Sequence, residues 1–286
     1  MDVAVGVAYS LRMDPTFRAA LDALERGDIG RLRELVGAQP QLLAMTDDED
    51  HSSTLLHAAA GGVHPEAVRA LLELGATADA MTWTTPLGVA ACYGRSENAR
   101  ILLAAGAAVD ARSRLGTTPL AMAILHGHPG VADLLLARGM LPRTLWVAAG
   151  AGDLDVVNTF VHADGSLVEG AGAHREDPHE YGMPSRPLSH EPRAILEEAF
   201  KYACMNARVA VAQRLLDTGV DINATPHVGT PLHWAAYCGH LGMVRFLVDN
   251  GANVRALDDE WHGTPKSWAA QNGHDDVIAF LAAREA

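Results

Sequence analysis

A short string of the form Thr-Pro-Leu recurs along this chain at intervals of about 33 residues, with one longer gap. It begins at Thr54, Thr85, Thr118, Thr230 and Thr264; leucine replaces the proline in the first copy, and lysine replaces the leucine in the last. Ten residues after each threonine stands a histidine or, once, an arginine, and a further glycine follows a leucine-rich stretch. Two glycine breaks per period predict two short helices per unit.

Each unit has the residues that a helix pair needs. Threonine followed by proline favours a helix start, since the hydroxyl can cap a free amide and proline lacks the donor that would go unpaired. Apolar positions such as Leu232 and Ala235 on the first helix, and Val244 and Leu247 on the second, form a face that one unit cannot bury alone. Stacking of neighbouring units buries it, so the pattern predicts an all-α repeat array.

This pattern resembles the ankyrin-repeat family, whose signature is a Thr-Pro-Leu-His helix–turn–helix unit of this period. The resemblance implies an all-α solenoid of about eight units, each followed by a hairpin-like projecting loop. We expect a cap segment at residues 1–16, repeats 1–5 at 17–165, a long insertion at 166–193 and repeats 6–8 at 194–286. The helix of the sixth unit should begin early, near residues 191–196, and the alanine-rich composition suggests a GC-rich bacterial genome.

The insertion is rich in glycine, proline and charge, and no period runs through it. Loops of this length are uncommon in compact domains and are either functional or disordered. It contains several residues able to bind a metal, namely His174, Asp177, His179, Glu180 and His190. Their spacing matches no tight ligand motif, so we expect neither a metal nor a cofactor. A solvated loop, a lid over the binding groove and an oligomer contact remain the alternatives.

The net charge of −13 indicates which partners to expect. It disfavours nucleic acid and anionic membrane surfaces, and no apolar run is long enough to cross a bilayer. Acidic tips at residues 47–50 and 258–260 predict a partner with a basic patch. The cysteines, three in number and far apart, fit a reducing, cytoplasmic setting rather than a disulfide framework.

The resemblance also implies a partner-binding surface, made of the loop tips and the exposed side of each first helix. The tip positions are His51, Trp83, Arg114, His227, Glu260 and Trp261. The helix positions are Cys92, Tyr93, Leu125, His126, Met205, Asn206, Tyr237, Cys238, Gln271 and Asn272. Aromatic residues in such a set are typical interface anchors. By contrast, we expect Trp146, Trp234 and Trp268 to fill the core. We expect His57 and His233 to link neighbouring loops.

These features favour a protein–protein interaction module. The sequence contains no nucleophile elbow, P-loop, zincin or dinucleotide motif, so an enzyme is the less favoured reading. Histidine, tyrosine and cysteine positions of the groove could still converge on a reacting group. The alternative is therefore a small-molecule site, or an unusual enzyme, in the groove beneath residues 166–193.

Overall fold

The computed structural model describes residues 14–46, 53–172 and 191–285. The chain divides into two compact units, residues 1–140 (unit 1) and 141–286 (unit 2). Within the described ranges, sixteen α-helices follow one another as eight pairs. One isolated antiparallel bridge joins Val161 to Leu167, and these ranges contain no strand. Each unit is a stack of helix pairs, which confirms the predicted all-α repeat class.

The first unit contains four helix pairs and a 3-10 turn at Pro40–Leu43. Its helices are α1 (Pro15–Arg26), α2 (Ile29–Ala38), α3 (Leu55–Gly61), α4 (Pro65–Glu73), α5 (Pro86–Cys92), α6 (Ser96–Ala104), α7 (Pro119–Leu125) and α8 (Pro129–Leu136). The helices of the second unit are α9 (Leu145–Ala151), α10 (Leu154–Phe160), α11 (Pro192–Met205), α12 (Val209–Leu216), α13 (Pro231–Tyr237), α14 (Leu241–Asp249), α15 (Pro265–Gln271) and α16 (Asp275–Glu285). The helices α1 and α11 begin inside the segments 1–16 and 166–193 that the sequence assigns to the cap and the insertion.

The repeated threonines begin the first helices, as predicted. At Thr230 the capping is reciprocal, because the Thr230 side chain accepts from the third helical amide and His233 Nδ1 accepts from the Thr230 amide at 3.1 Å. The other ring nitrogen of His233 donates to the Gly263 carbonyl at 3.0 Å. His57 repeats this arrangement, with Nε2 donating to the Thr84 carbonyl at 3.0 Å. Both histidines therefore link neighbouring loops, as expected.

For four of the five threonines, the residue ten positions later joins its repeat to the preceding one. His128 Nε2 donates to the Cys92 carbonyl at 2.9 Å, which satisfies a group that a helix C-terminus leaves without a partner. Equivalent bonds run from His240 to Met205, His274 to Tyr237 and Arg95 to Gly61. Arg208, in a repeat without the threonine, likewise donates to the Gly150 carbonyl. The approach is close: a Cβ added at Gly94, whose φ is +66°, would lie 2.6 Å from the His128 ring. Position 94 therefore requires glycine for two reasons, the positive φ and the close approach of the His128 ring.

The core of each stack lies between successive helix pairs. In unit 2 it includes Phe200, Leu232 and Leu247, all fully buried. The paired alanines of the first helices, such as Ala235 and Ala236, are also fully buried and let neighbouring helices approach closely. Burial of each large apolar side chain contributes about 1.5–3 kcal/mol. Among the described residues, none of the helices combines the length and apolar character needed to cross a membrane.

Candidate functional site

The loop before α15 is organised around one buried carboxylate. Asp258 is 1% exposed, and its Oδ1 accepts from the amides of Glu260 at 3.0 Å and Trp261 at 2.6 Å. Its Oδ2 accepts from the Gly263 amide at 2.8 Å and from Trp268 Nε1 at 2.9 Å. Burial raises the pKa of Asp258, but these hydrogen bonds outweigh burial and hold the pKa below its usual value. One acid of the predicted tip therefore points inward and fixes the loop.

This loop holds a tryptophan in solvent. Trp261 is 58% exposed, and its ring centroid lies 6.2 Å from that of the buried Trp268. Glu260, directly before it, is exposed, and His262, directly after it, has a φ of +53°, a conformation that non-glycine residues seldom adopt. The loop thus presents an aromatic ring and a carboxylate from a backbone that is fixed by hydrogen bonds.

Trp268 connects Trp261 to the end of α13. The Trp268 and Tyr237 rings have centroids 6.0 Å apart, and the Asn272 side chain donates to the Tyr237 carbonyl at 2.8 Å. Tyr237 is partly exposed, and Gln271 and Asn272 are exposed. We group five exposed or partly exposed predicted residues around these contacts as the Trp261 patch: Tyr237, Glu260, Trp261, Gln271 and Asn272.

Buried aromatic rings lie beneath this patch, and three of them occupy the same position in successive repeats. Tyr202, Trp234 and Trp268 each stand at the same position of their repeat, and Trp234 lies 5.0 Å from Trp268 between ring centroids. Lys201 places its ammonium 3.8 Å from the Tyr202 centroid and 5.6 Å from that of Trp234. Trp146 adds a further ring, 4.9 Å from Tyr202. Trp146, Trp234 and Trp268 are buried, which confirms the expectation that they fill the core.

A group of buried ionisable side chains lies on α11 and the loop before α13. Glu198 and Lys201 are each 2% exposed, and His227 is 3% exposed. Glu198 Oε1 lies 3.5 Å from His227 Nε2, so this pair ties the loop to α11. A histidine beside a carboxylate can in principle transfer protons. Here both groups are closed to solvent, and the arrangement is that of a structural tie. The sequence predicted His227 at an exposed loop tip, and the burial of Glu198 and Lys201 was not predicted.

Unit 1 presents a smaller set of exposed residues. Arg114 is exposed, and its amide donates to the Trp83 carbonyl at 2.9 Å, so these two tips are joined. Tyr93 is 60% exposed, and its ring borders Gly61, where an added Cβ would lie 3.2 Å from Tyr93 Cδ2. The tyrosine ring thus covers the space that the glycine leaves open.

The sixteen predicted residues differ in exposure. Tyr93, Arg114, Glu260, Trp261, Gln271 and Asn272 are exposed, and Trp83, Cys92, His126, Tyr237 and Cys238 are partly exposed. Leu125, Met205, Asn206 and His227 are buried, contrary to the exposure expected of them. At the end of α11, for example, the Asn206 amide group donates to the Tyr202 carbonyl at 3.0 Å instead of facing outward. His51 lies outside the described residues, as do the metal-binding candidates at 174–190.

Burial shifts the pKa values of three titratable groups of the predicted groove, Cys92, Cys238 and His126. Burial raises the pKa of the Cys92 and Cys238 thiols to about 12, so the nucleophilic thiolate is scarce near neutral pH. Burial and the nearby His128 lower the pKa of His126 to about 4, so the imidazole is neutral there and a weak base. In the part of the chain that the structure describes, no group of three or more His, Cys, Asp or Glu residues is placed to hold a metal ion.

Unit 1 contains a cavity that was not predicted from the sequence. It has a volume of about 340 Å³ and lies between α1 and α3 and the turn before α4. Its lining is mainly apolar and includes Leu21, Leu24, Ala58 and Val63. Its volume is at the lower end of the range found for small-molecule sites. None of the sixteen predicted residues lines it.

Comparison with known families identifies the repeats. The family model described as ankyrin repeats (3 copies) matches residues 20–113, 56–144, 145–258 and 200–286, in overlapping segments that cover most of the chain. The chain belongs to the ankyrin-repeat family. Ankyrin repeats are generally protein–protein interaction modules, and ankyrin-repeat proteins bind other proteins.

The chain spans only a small part of the length of the curated relatives that it matches. A mouse protein named ankyrin repeat, SAM and basic leucine zipper domain-containing protein 1 is 39% identical over 57 residues, which is 20% of this chain and 12% of the mouse protein. An Arabidopsis thaliana protein named putative E3 ubiquitin-protein ligase XBAT35 is 42% identical over 62 residues, 20% of this chain and 13% of that protein. The solved human ASB11 ankyrin repeat domain has a TM-score of 0.42 and 21% identity, with coverage of 94% of this chain and 98% of that one.

Proposed function

We propose that this ankyrin-repeat protein binds another protein through the Trp261 patch of unit 2, and that the partner presents a positively charged surface. The observation that carries the proposal is the exposed Trp261 ring, held outward by the hydrogen bonds that Asp258 accepts. A large aromatic side chain fixed in solvent is a typical anchor of a protein interface.

The exposed Trp261 ring offers a large apolar area to a partner. A tryptophan contributes about 150–250 Å² when fully buried, so covering the exposed 58% of Trp261 is worth about 2–4 kcal/mol. Because the backbone of this loop is already ordered, binding a partner does not carry the entropy cost of ordering the loop. The neighbouring Gln271 and Asn272 supply the polar rim that interfaces commonly have around such an anchor.

The charge of the chain supports a basic partner. The net charge is −13, and the exposed Asp259 and Glu260 directly precede Trp261. Such charges attract a positive surface and speed association at low salt. The same charge is unfavourable for binding a phosphate backbone. The proposal includes a cytoplasmic location, with which the three unpaired cysteines are consistent.

A comparison of variants in affinity capture tests this function. The wild-type chain, Trp261→Ala and Val209→Ala are used as baits in cell extract at 50 mM and 300 mM salt, and captured proteins are quantified by mass spectrometry. Val209 is the control, because it is an apolar residue, 41% exposed, at the start of α12. The proposal expects one or more proteins that Trp261→Ala loses, that Val209→Ala retains and that added salt weakens. Equal capture by all three baits would refute the patch as the binding surface, and salt-insensitive capture would refute the basic partner.

A further inference from the structure

We propose that the Trp261 patch recognises an arginine of the partner protein, with its guanidinium stacked on the exposed face of Trp261 and paired with the Glu260 carboxylate. This inference rests on the proposed function and adds the chemistry of the contact. It follows from three observations: how other aromatic rings of unit 2 are used, which charges surround Trp261, and how the loop is fixed.

Other aromatic rings of unit 2 already carry cations. The Lys201 ammonium lies over Tyr202 and Trp234, at 3.8 Å and 5.6 Å from their centroids. The guanidinium carbons of Arg245 and Arg284 lie 5.1 Å and 4.9 Å from the Phe280 centroid. Such contacts arise because the face of an aromatic ring is electron-rich. Within the described residues, no lysine or arginine of this chain lies over the Trp261 ring, although this ring is the most exposed tryptophan there.

The charges around Trp261 are mainly negative. Glu260 is exposed beside it, and Asp259 is exposed one residue earlier. Two cations close to Trp261 in sequence are engaged elsewhere: Lys266 forms an ion pair with Glu285, and Arg255 donates to the Glu285 carbonyl. The remaining titratable neighbour on the loop is His262, whose Nδ1 lies 3.4 Å from the Asp258 carbonyl oxygen. A cation from a partner would therefore meet an unoccupied ring and a carboxylate together.

The fixed loop favours arginine over lysine. The amides of Glu260 and Trp261 both donate to Asp258 Oδ1, so the carboxylate-bearing residue and the ring are held in one backbone geometry. A planar guanidinium can stack on the ring and direct its N–H groups to a carboxylate at the same time, whereas the compact, strongly hydrated ammonium of lysine does so less well. An uncharged side chain of the same shape gains neither the cation–π attraction nor the ion pair.

Peptide titration followed by NMR tests the inference directly. The ¹⁵N-labelled full chain is titrated with acetyl-Gly-Arg-Gly-Arg-Gly-amide and with the matching lysine and citrulline peptides. The Trp261 indole signal is assigned by its loss in Trp261→Phe. An exposed cation–π contact of about 0.5–1 kcal/mol corresponds to about a two- to fivefold change in affinity. We expect the arginine peptide to shift the Trp261 indole, the lysine peptide to bind at least twofold more weakly, and the citrulline peptide to give no shift.

Variants separate the ring from the carboxylate. Trp261→Ala should weaken binding of the arginine peptide at least fivefold, Glu260→Gln about two- to fivefold, and the control Val209→Ala not at all. Equal shifts with the citrulline peptide, or unchanged binding by Glu260→Gln, would overturn the inference. Equal binding of the lysine peptide would overturn the choice of arginine. If Trp261→Ala still loses a captured protein while the arginine peptide gives no shift, only this inference fails and the proposed function stands.

Discussion

The role of Asp258 leads to the sharpest stability prediction. In Asp258→Asn, one side-chain oxygen can still accept from Glu260 and Trp261, but the new NH₂ group faces the Gly263 amide and the buried Trp268 indole, both of which are donors. Two hydrogen bonds to a charged acceptor are lost, and the Gly263 amide and the Trp268 indole are both left without an acceptor, which costs about 2–4 kcal/mol. Asp258→Ala removes all four bonds and should cost about 3–5 kcal/mol.

Urea unfolding, followed by circular dichroism and by hydrogen–deuterium exchange, measures this loss. Because the loop leads into α15 and α16, we expect the extra exchange to appear first in residues 257–285. Glu260→Gln is the matched control, since its side chain is exposed on the same loop, and it should change the free energy of unfolding by less than about 0.5 kcal/mol.

The pH dependence supplies a second check on the same residue. The pKa of Asp258 is lower in the folded protein than in the unfolded chain, so the stabilisation is fully present above the usual aspartate pKa of about 3.9. It is lost as the pH falls through the folded value. The difference between wild type and Asp258→Asn should therefore shrink in strong acid. A loss below about 1 kcal/mol at pH 7, or one equal to that of Glu260→Gln, would refute the role assigned to Asp258.

Three further predictions concern other residues of the two units. Gly94→Ala should destabilise unit 1 by about 2–4 kcal/mol in urea unfolding, because Gly94 has a positive φ and lies close to the His128 ring. The control Gly106→Ala should cost about 1 kcal/mol, because Gly106 has a positive φ but no atom near the added Cβ. Equal losses in the two variants would contradict this prediction. The lowered pKa of His126 predicts that stability falls as the pH drops from about 6.5 to about 4, because the unfolded chain binds the proton at a higher pH than the folded protein does. In His126→Gln, the urea midpoint should depend less on pH over this range. An unchanged dependence would contradict the prediction. The raised pKa of Cys238 predicts much slower labelling by a thiol reagent at pH 7.4 than that of a free cysteine, and labelling at the free-cysteine rate would contradict it.

The fold could be predicted because its signal repeats. Each threonine string specifies a helix start by local chemistry, and recurrence in register makes a chance match improbable, as the capping at Thr230 illustrates. The link from the turn histidine to the preceding helix was not predicted as a hydrogen bond. It depends on the distance between two repeats, which a single repeat's sequence does not contain.

The site was less predictable because exposure depends on neighbouring side chains. Register assigned Met205 and Asn206 to an outward surface, yet both are buried at the end of the long helix α11. Asp258 was counted as a surface charge, whereas its carboxylate is the acceptor that shapes the loop. The signal that could have revealed the aromatic support was the shared register of Tyr202, Trp234 and Trp268.

Site-specific photo-crosslinking tests the central claim, binding of another protein at the Trp261 patch, most directly. A photoreactive amino acid replaces the exposed Gln271 within the patch and, in a control chain, Val209 on α12. The account predicts that the chain altered at Gln271 crosslinks to a protein partner, that 300 mM salt reduces the yield, and that the chain altered at Val209 does not crosslink to that protein. Equal crosslinking from the two positions, or none from Gln271, would contradict the account.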